Sequence, residues 1–303
     1  MTDEDVPAVI YHYTSMANLL SILRNRELWA SDFRYSNDAT ETKYGRDALV
    51  EKIRALAQEY RSQPPTSPDD RPDSHNNPAY FANIFEEIAT EQAELKRDST
   101  PFGVAFSKSG DRLSQWRGYA ASNGCSIGID KRKLIPEPPD FQMDYEFLEV
   151  GYGYAGIDAA YASIRSVVAP VGRTSSSFDP ERNHDIRSKS FASRAFLAVK
   201  DPSFEEEQEV RLLLSTPPYR GAEGHDSSTD RGELCFRTSP TGLAVPYWKV
   251  PIDPAGIREI YVGPGVHKER NIAALHDYFE RRDSKWFDSS VSPDIRPSAI
   301  PFQ

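Results

Sequence analysis

Between Phe204 and Ser215 the chain reads F-E-E-E-Q-E-V-R-L-L-L-S, an acidic run that passes through an alternating stretch, Glu209 to Leu212, into leucines. Successive side chains of an extended strand point to opposite faces. Period two therefore sorts Val210, Leu212 and Leu214 onto one face and Glu205, Glu207, Glu209 and Arg211 onto the other. A half-buried strand accounts for the apolar face. On the charged face the carboxylates repel at next-nearest spacing, and Arg211 relieves the one two residues back, Glu209. Two readings stand side by side. One is a solvated strand face with a single Arg–Glu pair; the other is an edge that presents Glu207 and Glu209 together to a polar substrate.

The elements around this run follow no regular β-α-β alternation. Ala8–Tyr13 reads as a first strand, and Thr14 or Ser15 can cap a short helix that carries Leu19, Ile22 and Leu23 at helical spacing. A strand at 27–31 and helices near 40–60 and 78–97 come next, then strands at 102–107, 125–130 and 145–152, with a short helix near 111–120. The second half predicts helices near 157–168 and 186–199, the acidic strand, strands at 233–237, 245–250 and 257–262, and a last amphipathic helix near 268–281. That order favours α+β over a doubly wound parallel sheet. No internal repeat is visible, and 1–303 is read as one domain. The stretches near 61–78 and 217–231 are rich in Pro, Asp, Ser and Gly and are expected to be mobile loops.

Charge narrows the function classes. With 36 basic and 46 acidic residues the net charge is −10 and no basic arm is present, which argues against phosphate-backbone binding as the main role. No apolar stretch approaches the roughly 20 residues of a membrane span, and the N-terminal M-T-D-E-D lacks the form of a signal peptide. A cytoplasmic protein with no membrane partner is the expectation. Cys125 and Cys235 both fall in strand-like runs, as core residues of a reducing compartment do. The six histidines show no ligand spacing, so no metal is expected.

Gly124–Gly128 fits the G-x-S-x-G pattern of serine hydrolases. The residues after Ser126, however, continue as a strand rather than turning into a helix, and the match reads as accidental. G-Y-G-Y-A-G at 151–156 has glycines but not the context of a dinucleotide loop. What remains is a set of short motifs: Y-H-Y-T ending the first strand, F-S at Phe106–Ser107, D-x-L-S-Q-W-R-G-Y-A from Asp111, and E-x-E-x-R at Glu207–Arg211. Taken singly, His12 is an ordinary strand-end histidine, and Trp116 with Tyr119 is ordinary helix packing.

In order, these pieces resemble the family catalogued as domain of unknown function 2971. The resemblance draws on Asn37-Asp38 with Glu41, Phe106–Ser107, Trp116 with Tyr119-Ala120, Gly124–Ile129, Glu207–Arg211 and Ile257–Gly263. Many members have histidine where this chain has Gly118. At greater distance the skeleton is similar to the ADP-ribosyltransferases, which implies a split antiparallel sheet with helices packed on its outer faces. It also implies that NAD is the substrate. Carried over by position, His12 would hold the adenosine-side ribose, Tyr119 would stack on nicotinamide, and Glu209 would hold the nicotinamide ribose. Glu207 would place the acceptor, while Tyr13, Ser107, Trp116 and Arg211 would complete the NAD site. The implied activity is ADP-ribosyl transfer to a protein, nucleic acid or small molecule, or NAD glycohydrolysis. A role as a toxin or in antiviral defence follows from the same likeness. The alternative is a non-catalytic nucleotide-sensing or protein-interaction module of the same fold.

Overall fold

The computed structural model describes residues 6–35, 39–65, 67, 71–72, 77–94, 102–120, 123–134, 144–169, 180–215, 234–239, 241–281 and 292–301. The chain begins with β1 (Val9–Ser15), α1 (Met16–Asn25) and β2 (Glu27–Asp32). Helices α2 (Ala39–Ser62) and α3 (Pro78–Glu94) follow, then β3 (Phe102–Ser107), α4 (Leu113–Tyr119), β4 (Gly124–Asp130) and β5 (Asp144–Glu149). Next come β6 (Gly151–Tyr152), α5 (Gly153–Val168), α6 (Pro180–Phe196) and β7 (Val199–Lys200). The last part carries β8 (Glu209–Ser215), β9 (Cys235–Thr238), β10 (Ala244–Pro251), β11 (Ile257–Val262), α7 (Lys268–Glu280) and β12 (Asp294–Pro297).

These elements sort into two compact units interleaved along the chain, so the single-domain reading of 1–303 becomes more particular. The second unit, Asp32–Pro101 with Val150–Glu205, is helical. Leu49, Ile53 and Leu56 of α2, Phe85 and Ile88 of α3, and Ile157 and Ile164 of α5 bury their apolar stripes together. Gln92 and Ser193 satisfy each other inside it at 3.0 Å.

The first unit comprises Met1–Ser31, Phe102–Glu149 and Glu206–Gln303, and it is built on a ten-stranded, mostly antiparallel sheet. The strand order β12-β11-β4-β1-β3-β2-β10-β9 branches at β3, whose long antiparallel partner is β8, itself paired with β5. β1 pairs with β4 along its whole length, but with β3 only at Tyr11↔Ser107. The sheet is therefore α+β and opens between β1 and β3.

Period two decides which side chain faces which layer. Ile10, Val104, Phe106, Cys125, Ile127, Ile129, Val210, Leu212 and Leu214 share one face and form the core with α1 and Leu275 of α7. The other face carries Tyr11, Tyr13, Ser107, Glu209 and Arg211, because Tyr11 opposes Ser107 and Ser107 opposes Glu209. Against that second face α4 packs through Trp116 and Ala120 onto Tyr13.

Three expectations need correction or limits. The acidic run is not a strand from Phe204: Pro202–Glu207 is a 3-10 turn, and the strand starts at Glu209. The cause is local, since the Asp201 carboxylate accepts from the Ser203 N–H at 2.9 Å and its carbonyl accepts from the Phe204 N–H at 3.1 Å. The expected loop at 217–231 lies outside the described residues, as does much of 61–78. β12 had no signal of its own: it is the four residues Asp294, Ile295, Arg296 and Pro297, paired parallel to β11.

Candidate functional site

The site begins with the end of β3. Ser107 is buried, and its hydroxyl donates to the Glu207 carbonyl at 2.7 Å while accepting from the Ser109 N–H at 3.2 Å. One residue on, the Lys108 N–H donates to the Gln208 carbonyl at 3.0 Å. β3 therefore grips the turn that precedes β8. Gln208 itself has φ +47°, in the left-handed region that a residue with a Cβ enters at a cost of about 1 kcal/mol or more. This kink separates two carboxylates that a continuous strand would hold side by side.

Their surroundings differ accordingly. Glu209 is buried and gripped by Arg211 two residues on, with Nε donating to Oε1 at 2.6 Å and Nη2 to Oε2 at 3.0 Å. Both side chains are less than a tenth exposed, 5% for Arg211 and 7% for Glu209. This is a buried fork-on-carboxylate pair, and the picture of a solvated strand face is not what the chain forms. Glu207 is turned toward α4, where the Tyr119 hydroxyl donates to its Oε1 at 3.2 Å. Tyr119 is 45% exposed, so the aromatic ring meets solvent while its hydroxyl end meets the carboxylate.

α4 is held from beneath. Trp116 is buried against Tyr13, ring centroids 4.8 Å apart and nearly perpendicular, and its Nε1 donates to Asp111 at 2.7 Å. Tyr13 is buried as well: its hydroxyl donates to the Ser109 carbonyl at 2.9 Å and accepts from the Arg112 N–H at 3.0 Å. Burial pushes the Tyr13 phenol above its ordinary pKa. Asp111 collects three donors, since Ser298 Oγ at 2.5 Å and the Ala299 N–H at 2.7 Å join Trp116. The C-terminal segment is thus tied to the start of α4. At the other end of the helix Gly124 lies so close to Ala120 that an added Cβ would sit 1.9 Å from the Ala120 carbonyl oxygen.

The structure brings Tyr119, Glu207, Glu209, Arg211 and Ser107 together at one end of β8, but it changes several expected roles. Tyr13, Trp116 and Ser107 are packed and hydrogen-bonded internally, so they frame the site from behind rather than line it. His12 does not join it. One residue out of phase with Tyr11 and Tyr13, it leaves β1 on the opposite face, with its ring against Phe106 at 5.7 Å. Its Nδ1 lies 3.1 Å from the Ala105 carbonyl on β3, where β1 and β3 part. Burial holds the His12 pKa below its ordinary value, opposed by that hydrogen bond. Ser126 is fully buried in the middle of β4, between β1 and β11, and not on a strand-to-helix elbow.

Asp111, Arg112 and Gln208 are the residues that sequence reasoning passed over. Asp111 stood in the quoted motif, where it resembled an ordinary residue before a helix. Among the described residues no group of three or more His, Cys, Asp or Glu side chains is arranged to hold a metal ion, and no helix is long and apolar enough to cross a membrane.

Comparison with known families returns a match over residues 115–212 to the family described as protein of unknown function (DUF2971). That span is about a third of the chain and runs from α4 into β8, so it takes in Trp116, Tyr119, Glu207, Glu209 and Arg211 but neither His12 nor Ser107. No curated protein and no solved structure matches the chain.

Proposed function

We propose that this chain cleaves the nicotinamide–ribose bond of NAD, as an ADP-ribosyltransferase or, with water as acceptor, an NAD glycohydrolase, and that its opened sheet is an ADP-ribosyltransferase-like fold. The observation that carries the reading is the Tyr119–Glu207 pair: a half-exposed aromatic ring bonded to a carboxylate at the end of β8. As the N-glycosidic bond breaks, its electrons leave with nicotinamide and positive charge develops on the ribose. A fixed carboxylate stabilises that charge, as in glycoside hydrolysis. The acceptor then bonds to the ribosyl carbon and gives up its proton, which Glu207 takes in this reading. The Tyr119 ring suits the flat cationic nicotinamide of the ground state. Glu207 takes the catalytic part in this reading, since Glu209 is committed to Arg211.

Incubation with NAD and measurement of released nicotinamide tests it. Glu207→Gln should lower release roughly a hundredfold or more, the scale for one electrostatic stabiliser, with little change in KM. Tyr119→Phe, which keeps the ring and loses the bond to Glu207, should cost less. Equal release by wild type and Glu207→Gln would end the claim. A binding module of the same fold is the second reading, favoured by His12 facing away from the cluster. It is distinguished by NAD binding without any release of nicotinamide.

A further inference from the structure

Gln115 lies inside α4 and is only 6% exposed. A buried amide is ordinarily satisfied, as Gln92 is by Ser193 at 3.0 Å. Among the described residues the Gln115 side chain has no hydrogen-bond partner. It is not sealed off either: both amide atoms keep a little contact with solvent, unlike the Ser188 hydroxyl, which is buried and unpartnered. A side chain more than nine-tenths buried thus turns its polar end to an opening and leaves it unsatisfied. Packing alone is better served by Leu or Met, which desolvate no polar group.

Helix geometry places that opening. Gln115 and Tyr119 are four residues apart and both lie within Leu113–Tyr119, so they are neighbours on one face with Cβ atoms about 5–6 Å apart. Long helical side chains lean toward the N-terminus, which carries Tyr119 over the turn that holds Gln115. Trp116 and Ala120, each one position further on, take the adjoining face to Tyr13. One side of α4 therefore combines an unsatisfied amide, the 45% exposed Tyr119 ring and, on the Tyr119 hydroxyl, the Glu207 carboxylate. An amide presents a donor and an acceptor in one plane, and its full complement is another primary amide. Nicotinamide carries one on its ring, and a ring stacked on Tyr119 brings it within a side chain's length of Gln115.

We propose that Gln115 is a specificity-determining residue that recognises the carboxamide of nicotinamide, with Nε2 donating to its carbonyl and Oε1 accepting from its NH2. This rests on the reading of Tyr119 and Glu207 as an NAD site, but its test requires no turnover. Binding of nicotinamide, 3-acetylpyridine and 3-methylpyridine to the full chain is followed by ligand-observed NMR titration for wild type and Gln115→Met. The three ligands share the ring and offer both halves of the amide, the carbonyl alone, and neither. Wild type should bind them in that order, with nicotinamide roughly tenfold tighter than 3-methylpyridine, the scale of two neutral hydrogen bonds. In Gln115→Met the order should collapse, nicotinamide losing roughly tenfold while 3-methylpyridine binds no more weakly. The melting temperature of the ligand-free variant should stay level or rise, because an unpartnered amide leaves the interior.

Equal nicotinamide affinity in wild type and Gln115→Met overturns the proposal, as does failure of the wild type to bind nicotinamide. A lowered melting temperature together with lost 3-methylpyridine binding makes Gln115 a packing residue and also overturns it. Release of nicotinamide from NAD by the wild type, with nicotinamide affinity indifferent to Gln115→Met, removes this proposal and leaves the catalytic reading standing. Absence of release with the affinity difference intact does the reverse.

Discussion

Replacing Glu209 by Gln is the perturbation whose magnitude the structure fixes best. The substitution keeps the side-chain length and one acceptor oxygen but sets an NH2 group against the Arg211 fork. Arg211, 5% exposed, then stays buried and loses the Glu209 charge that its fork grips. Removing one partner of a buried ion pair costs about 3–5 kcal/mol, because the other charge stays desolvated. For a unit of this size each kcal/mol shifts the melting temperature by roughly 2–4 °C, so the expected loss is on the order of 10 °C. Thermal unfolding followed by tryptophan fluorescence reads it directly. The charge-free double variant, Glu209→Leu with Arg211→Met, should regain most of the loss, since apolar residues of similar volume commonly replace a buried pair without penalty. A Glu209→Gln protein within about 1 kcal/mol of wild type would mean the pair behaves like a screened surface pair, and the reasoning from burial would fall. A double variant no better than the single would refute it differently, by showing that Glu209 serves donors other than Arg211.

Two further outcomes follow from the same geometry. Burial lowers the His12 pKa, so the unfolded chain binds more protons there: His12 costs nothing above its unfolded value of about 6.5 and destabilises the fold as pH falls below it. Denaturant midpoints at about pH 7.5 and 5.5 should therefore differ less in His12→Gln than in wild type, and equal differences would refute the assignment. Asp111→Ala removes three bonds to a carboxylate and should cost about 2–3 kcal/mol. It should also speed amide exchange over 294–301 and 113–120 together; exchange confined to one segment would show that the C-terminal strap and α4 are not coupled.

Much of the sheet is legible in the sequence, because β1, β3, β4, β8 and β11 each carry an alternating or continuous apolar pattern whose period survives in the fold. Helices α1 and α7 are equally plain from Leu19, Ile22 and Leu23 and from Leu275 at helical spacing. What failed did so for identifiable reasons. Period two already forbids His12 and Tyr13 from serving one face of β1, so placing both in a single NAD site contradicted the rule that found the strand. β12 is invisible because four residues with one aliphatic side chain, Ile295, carry no readable period; it is fixed by Ile295 against the core and by Arg296, which binds Glu259 at 2.9 Å and donates to the Tyr261 hydroxyl at 3.2 Å. The second unit is hidden because its segments enter and leave the first without any shift in composition.

The acidic run shows how local chemistry overrides pattern. Read as a strand, Glu205, Glu207 and Glu209 share one face and repel. The fold instead gives each a separate environment: Glu205 exposed on the 3-10 turn, Glu207 buried beside the Tyr119 hydroxyl, and Glu209 buried on Arg211. The cost of that separation is concentrated in Gln208, held at φ +47° by the Lys108 N–H on its carbonyl. Glycine would adopt that conformation without strain, and a straight strand would avoid it altogether. A left-handed glutamine lodged between two buried carboxylates is therefore stabilised by its surroundings rather than by its own preference. Such strain collects where a side chain must be aimed, and what this kink aims is the Glu207 carboxylate, away from Arg211 and onto the one aromatic ring of α4 that meets solvent.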